Sequence, residues 1–268
     1  MEAEKGPGPE ELHVEVTHSI LPAEYVPQGK EEAIAELSVY VNWPEAASRA
    51  IIFASDVHGW ENPILRTIAD KAAAAGFAAF VPDFFHGDPF VPRPGVGDMR
   101  YFPWVTEWLK LHTAEGSVEE CRSLMTELKR RGITSFGLSG FCWGARLAML
   151  LDGVEELQAI VLLHPSLLKV EAMNSVRAPL AILAAEFDSS TPVETIKMYE
   201  DVLDSRPEVQ SFVKIYAGTE HGWTVAKPAG EAARRAADEA HHDMLEWYQK
   251  HFQSPALASH LPRFTIET

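Results

Sequence analysis

The chain is predicted to be an α/β protein with a mostly parallel central sheet, helices on both faces and antiparallel strands at its N-terminal edge. Three observations carry that prediction. From residue 50 onward short apolar runs alternate with helical stretches, two earlier segments alternate polar and apolar side chains, and a glycine-flanked cysteine stands where a strand would pass into a helix. Continuous apolar runs suit parallel strands buried on both faces and joined by crossover helices. Strict alternation suits strands with one wet face.

Taken in order, residues 1–11 are rich in Pro, Gly and Glu and are expected to be a disordered tail. Residues 12–268 are expected to form a single domain, since a chain of this length can bury one large core. Residues 13–20 and 33–41 read as the opening antiparallel pair. Strands are predicted over 50–55, 78–82, 135–138, 159–164, 180–185 and 209–216. Helices are predicted over 63–75, 117–131, 145–152, 193–204 and 229–252. In the last of these, Ala233, Ala237, Ala240, Met244, Tyr248 and Phe252 form one stripe at helical spacing. Residues 84–104 break the pattern with Pro89, Pro92, Pro94 and Pro103 and with Gly87, Gly95 and Gly97. A loop of that length in a compact domain is usually functional.

Charge narrows the class of partner. With 39 acidic and 23 basic side chains the net charge is −16, which repels phosphate backbones and anionic lipid. The basic runs Lys129-Arg130-Arg131 and Arg234-Arg235 fall in predicted helices and read as solvated faces. The expected partner is therefore a small molecule, not a nucleic acid or a membrane, and monomer and homodimer both stay open. The first residues lack the apolar core of a secretory signal, and no stretch has the roughly 18 apolar residues of a span. Cys121 and Cys142 are the two cysteines. That composition fits a reducing, cytoplasmic setting.

The most informative segment is Gly140-Phe141-Cys142-Trp143-Gly144, with strand-like 135–138 before it and helix-forming 145–151 after it. A Gly-x-nucleophile-x-Gly turn exposes its central side chain on a sharp corner, and the glycines let strand and helix backbones approach. Amides at the helix start then face both the thiolate and a developing oxyanion. The plainer fate of a free cysteine is a small buried hydrophobe; that is the role assigned to Cys121, which lies inside an amphipathic helix. Ser139 follows Gly137 by two residues, but Phe141 stands where the second glycine should be.

A thiol nucleophile needs a histidine to take its proton and a carboxylate to fix the histidine's tautomer. In the α/β-hydrolase fold these follow in the order nucleophile, acid, histidine. His221 lies just past the predicted strand 209–216, in Gly218-Thr219-Glu220-His221-Gly222-Trp223. Asp188 follows the strand 180–185, with Glu186 as its rival and helix capping near Pro192 as its alternative use.

With Cys142, Asp188 and His221 in that order, the chain resembles the dienelactone hydrolase family from about residue 50 to 252. Gly140-Phe141-Cys142-Trp143-Gly144 is similar to that family's nucleophile motif, and Asp56-Val57-His58-Gly59 resembles its Glu-Ile-Phe-Gly stretch. Val81-Pro82-Asp83-Phe84-Phe85 resembles a third landmark, and His164-Pro165-Ser166 and Gly222-Trp223 are similar to eukaryotic-type members. The resemblance implies an α/β-hydrolase fold and hydrolysis of small esters or lactones without a cofactor. It implies an oxyanion hole from the backbone amides of Val57 and Trp143. It also implies an acidic partner for the resting thiol at Asp56, one methylene shorter than the family's glutamate. Bacterial members hold the substrate carboxylate with arginines, one shortly after the histidine. Here no arginine occurs among residues 222–227, and Lys227 offers a point charge instead of a fork. Phe85, Trp223 and Lys227 are the candidate substrate-binding residues, with Trp60 and Trp143 as further apolar walls.

His58, His86 and His164 fall near strand ends, but their spacing matches no helix-borne ligand pair and no metal is expected. Two other classes stay open: a ligand receptor that keeps the fold without turnover, and a thiol redox sensor at Cys142.

Overall fold

The computed structural model describes residues 26–91 and 103–252. Among these, eight strands form one sheet in the order β1-β2-β4-β3-β5-β6-β7-β8. The strands are β1 (Lys30–Ile34), β2 (Leu37–Asn42), β3 (Arg49–Ala54), β4 (Ala78–Pro82), β5 (Ser135–Phe141), β6 (Leu157–Leu163), β7 (Leu180–Phe187) and β8 (Ser211–Glu220). β1 pairs with β2, and β2 with β4, in antiparallel fashion. Every other pairing is parallel.

The apolar runs are continuous because each strand feeds two cores. In β6, Ile160 and Leu162 face one side while Ala159, Val161 and Leu163 face the other. In β7, Leu180, Ile182 and Ala184 alternate in the same way with Ala181, Leu183 and Ala185. The period-2 geometry of a strand makes this unavoidable. Helices α1 (Pro63–Ala74) and α6 (Glu231–His251) cover one face, through Leu65, Ile68, Ala240, Met244 and Tyr248. Helices α3 (Val118–Arg130), α4 (Trp143–Leu150) and α5 (Val193–Asp204) cover the other, with α2 (Pro103–Leu111) contributing Trp108.

The N-terminal edge differs from expectation. β2 begins at Leu37 and turns back on β1 through Ala35 and Glu36, whose φ values are 49° and 67°. Two-residue hairpins need such positive φ and usually recruit Asn-Gly for it; Ala-Glu carries no such signal, so one strand over 33–41 was expected where two occur. β1 itself is charged and exposed, as suits an edge. The predicted strand over 13–20, the tail 1–11 and part of the loop 84–104 lie outside the described residues. The loop expected over 84–104 ends early, because Pro103 occupies the first position of α2, where proline loses no hydrogen bond; the helix itself was not predicted. A 3-10 turn over Val170–Ser175 was also unpredicted. No helix among the described residues is long and apolar enough to cross a membrane.

Candidate active site

β5 runs three residues further than its apolar run suggested. Ser139 and Gly140 are held in the ladder opposite Phe53 and Ala54 of β3, and Phe141 pairs with Leu163 of β6. Cys142 then turns the chain at φ 50° and ψ −105°, and α4 starts at the next residue. That backbone is strained for a residue with a Cβ, of order 1–3 kcal/mol, and persists only where its surroundings enforce it. The enforcement is visible. Cys142 N donates to Leu163 O at 3.1 Å, Ala145 N to Cys142 O at 3.1 Å and Gly144 N to Ser55 O at 3.2 Å. A Cβ on Gly144 would fall on the Ala54 carbonyl, and one on Gly140 would meet the backbone of Gly144 and Ala145. Both glycines are therefore required by the close approach of α4 to β3 and β5.

His221 stands at the turn after β8. Its Nδ1 lies 2.6 Å from Asp188 Oδ2. The other oxygen, Asp188 Oδ1, accepts the amides of Ser190 at 2.8 Å and Thr191 at 3.2 Å. A carboxylate so placed can only accept, so Nδ1 carries the proton and Nε2 is left for the thiol side. Cys142 is the other hydrogen-bonding neighbour of the ring. Burial works against a charged imidazole, but the hydrogen bonds and charges of Asp188 and Cys142 outweigh it and raise His221 to about 10. Glu186, the rival acid, points elsewhere: Oε2 accepts the Gly218 amide at 2.7 Å. α5 begins after Pro192 with no side-chain cap, so Asp188 is not its cap.

The loop after β3 supplies the opposite wall. Asp56 is buried, and burial pushes its carboxyl above the ordinary range despite the nearby charges of His58 and His221. Its Oδ1 turns back to accept the His58 amide at 3.0 Å, the local bond a short side chain favours. Asp56 makes no hydrogen bond to Cys142; the sulfur instead lies 3.2 Å from Ser166 Oγ. The amide of Trp143 opens α4 and has no intrahelical acceptor. In the other loop, Asp56 claims the amides of His58 and Gly59, and Val57 O accepts Phe90 N at 2.8 Å. Val57 N has no acceptor among the described residues.

The candidate substrate-binding residues are not gathered in one place. Phe85 is buried and packs edge-on against Trp143 and Trp108, with ring centroids 4.8 Å apart in both pairs. Trp223 is buried against Tyr216 and His164. Trp60 lies under the Arg66 guanidinium, 4.7 Å from the ring centroid. Lys227 is exposed. A cavity of about 580 Å³ opens beside Trp143, and its cations are Arg146 and Lys169, not Lys227. Arg146 there is paired with Glu115 at 2.7 Å.

The three histidines weighed as ligands are dispersed. His86 pairs with Glu120 at 2.7 Å on the surface, His58 Nδ1 lies 3.2 Å from Phe90 O, and His164 is fully buried. His164 packs edge-on to His221, 5.1 Å between centroids, and its Nε2 lies 2.8 Å from Thr224 Oγ1. Burial and the adjacent His221 charge hold it far below its ordinary value. Thr224 O in turn lies 2.9 Å from His241 Nε2, and His241 Nδ1 lies 3.2 Å from Lys71 Nζ. Neither Thr224 nor His241 carries a sequence signal, since both depend on contacts across α6 and α1.

The pattern that defines the dienelactone hydrolase family matches residues 37–252. The chain belongs to the dienelactone hydrolase family. A carboxymethylenebutenolidase homolog from Homo sapiens is 30% identical over 234 residues, covering 85% of this chain and 93% of its own. A Zea mays protein named endo-1,3;1,4-beta-D-glucanase is 36% identical over 173 residues, 65% of this chain and 54% of its own. The match thus spans about half the length of that relative. Among solved structures, a putative dienelactone hydrolase from Klebsiella pneumoniae superposes with a TM-score of 0.69 at 19% identity, covering 83% of this chain and 98% of that one. At that identity the likeness is one of fold, and the fold is that of an α/β-hydrolase.

Proposed function

We propose that this family member hydrolyses small carboxylic esters or lactones, without a cofactor, through Cys142, His221 and Asp188 and a thioester acyl-enzyme. The observation that carries the proposal is the convergence, from three separate strand ends, of a cysteine in a strained elbow, a histidine beside it and a carboxylate 2.6 Å from that histidine's far nitrogen.

In acylation the sulfur, its proton held on His221 Nε2, bonds to the carbonyl carbon. The oxygen becomes negative within reach of the Val57 and Trp143 amides, whose hydrogen atoms have no acceptor among the described residues. As the C–O bond to the leaving alcohol breaks, His221 returns the proton to that oxygen. In deacylation a water gives its proton to His221 and attacks the thioester, and the sulfur leaves with the bonding electron pair. Asp188 holds the His221 ring in place throughout, itself fixed by the two amides that donate to its other oxygen.

The name of the maize relative speaks of glycosidic bonds, whose cleavage uses two carboxylates flanking one acetal. Here Asp188 is committed to His221 and its own turn, and Asp56 turns its Oδ1 back onto the His58 amide, so both carboxyls are engaged locally. Acyl transfer is the chemistry this site favours.

The test is intact-mass detection of an acyl adduct from short p-nitrophenyl esters and a lactone panel. Wild type is expected to gain the acyl mass at Cys142 and release p-nitrophenol; Cys142→Ala is expected to do neither. Turnover surviving in Cys142→Ala overturns the proposal. Tight binding of esters without turnover in wild type turns the assignment to a receptor.

A further inference from the structure

We infer that the Ser166 hydroxyl is the donor that holds the Cys142 sulfur, both in the free protein and as the thiolate leaves the acyl-enzyme. The inference rests on the assignment of Cys142 as nucleophile.

Ser166 is buried, and its Oγ lies 3.2 Å from Cys142 Sγ. Its backbone amide donates to Cys142 O, also at 3.2 Å, so the same residue clamps both the peptide and the side chain of Cys142. The short loop that presents it follows an unusual path. His164 and Leu167, on either side, have φ values of 39° and 61°. Non-glycine residues hold such angles only when fixed from outside. The fixing bonds are His164 N to Leu183 O at 2.8 Å and Thr191 Oγ1 to Pro165 O at 2.7 Å. Thr191 also donates its amide to Asp188. The loop bearing Ser166 is thus tied to the loop bearing the acid, and Asp56, the expected partner of the sulfur, is occupied by His58 N.

The chemistry assigns the direction of the bond. A thiolate has no proton, so Ser166 Oγ–H donates to it, alongside the imidazolium of His221. A thioester sulfur is a poor acceptor, so the bond weakens on acylation and is regained when the C–S bond breaks and the electron pair returns to sulfur. Ser166 therefore lowers the barrier to deacylation in particular. The titratable groups around this sulfur are His221, Asp188 behind it, His164 edge-on to the ring, and Asp56 with His58 across the cleft.

The experiment compares wild type, Ser166→Ala and Ser166→Thr by iodoacetamide alkylation of Cys142 against pH, by intact-mass measurement of acyl-enzyme during turnover, and by thermal melting. Loss of one donor to a charged acceptor is expected to move the Ser166→Ala alkylation midpoint up by about one pH unit and to slow deacylation about tenfold. Acyl-enzyme should then accumulate, and kcat and KM should fall together, a signature that loosened packing does not produce. Ser166→Thr, which keeps the hydroxyl, should restore both. A wild-type midpoint with no added acyl-enzyme in Ser166→Ala overturns the inference. Equal losses in Ser166→Thr, with melting unchanged, overturn it too by placing the effect in packing. Turnover in Cys142→Ala removes the nucleophile assignment itself, whatever Ser166 does.

Discussion

Asp188→Asn changes one group of the site and leaves its shape intact. The asparagine oxygen can keep the Ser190 and Thr191 amides, but its NH₂ then faces His221 Nδ1, now 2.6 Å from a carboxylate oxygen. Two donors cannot face each other, so Nδ1 must surrender its proton and Nε2 must carry it, which disables the nitrogen needed to accept from Cys142. Asp188 is one of the two partners whose hydrogen bonds and charges raise His221 to about 10 against burial. Losing a hydrogen bond to a charged group costs about 1.5–3 kcal/mol and lowers kcat by about 10–10²-fold. The assay is steady-state hydrolysis of p-nitrophenyl acetate across the pH range, with folding checked by circular dichroism. The variant should also lose the His221-dependent limb at lower pH than wild type, because its imidazolium is less stabilised. Wild-type kcat with an unchanged pH profile in a folded Asp188→Asn would refute the reasoning.

Other predictions concern the scaffold. Gly144→Ala places a methyl against the Ala54 carbonyl and should destabilise the fold by about 1–3 kcal/mol in urea titration; an unaltered midpoint counts against the close approach of α4 to β3. Iodoacetamide should label Cys142 and spare Cys121 in the native protein, because burial pushes the Cys121 thiol up to about 12. Peptide mapping reads this directly, and native labelling of Cys121 contradicts its place in the core. His241 is held down to about 3 by burial and by Lys71. Its folded value lies below the ordinary 6.5, so as pH falls the unfolded chain takes up a proton that the folded chain refuses. The stability it contributes is present above 6.5 and is lost as pH falls toward 3. His241→Gln should flatten the fall of unfolding free energy between about pH 5.5 and 4 by about 1.4 kcal/mol per pH unit; an unchanged slope rejects this.

The residues whose places follow from the local pattern of the chain were legible in the sequence. The elbow around Cys142 announces itself through Gly140 and Gly144, and the order Cys142, Asp188, His221 follows strand ends that their apolar runs mark. What stayed hidden depends on contacts between distant segments. Ser166 was noticed only as part of a motif, because its meeting with Cys142 is made by a left-handed backbone at His164 and Leu167 that no local residue choice advertises. Asp56 sits where the resemblance put it, yet its direction is set by a bond to His58 N that competes within the same turn. The Ala35-Glu36 hairpin went unseen for a related reason: residues that rarely accept positive φ do so there.

Beyond the bond of His221 to Asp188, the segment that follows it is moored at three points among the described residues. Thr224 Oγ1 meets His164, Thr224 O meets His241 in α6, and Val225 O accepts from Asn62 at the start of α1. Each mooring runs to the scaffold, and none runs to the segment after β4 that packs Phe85 and Phe90 against α2. Wear and change can therefore be partitioned. The aromatic cluster of Phe85, Phe90 and Trp108 can be rewritten by mutation without breaking any of the three bonds that fix the segment after His221.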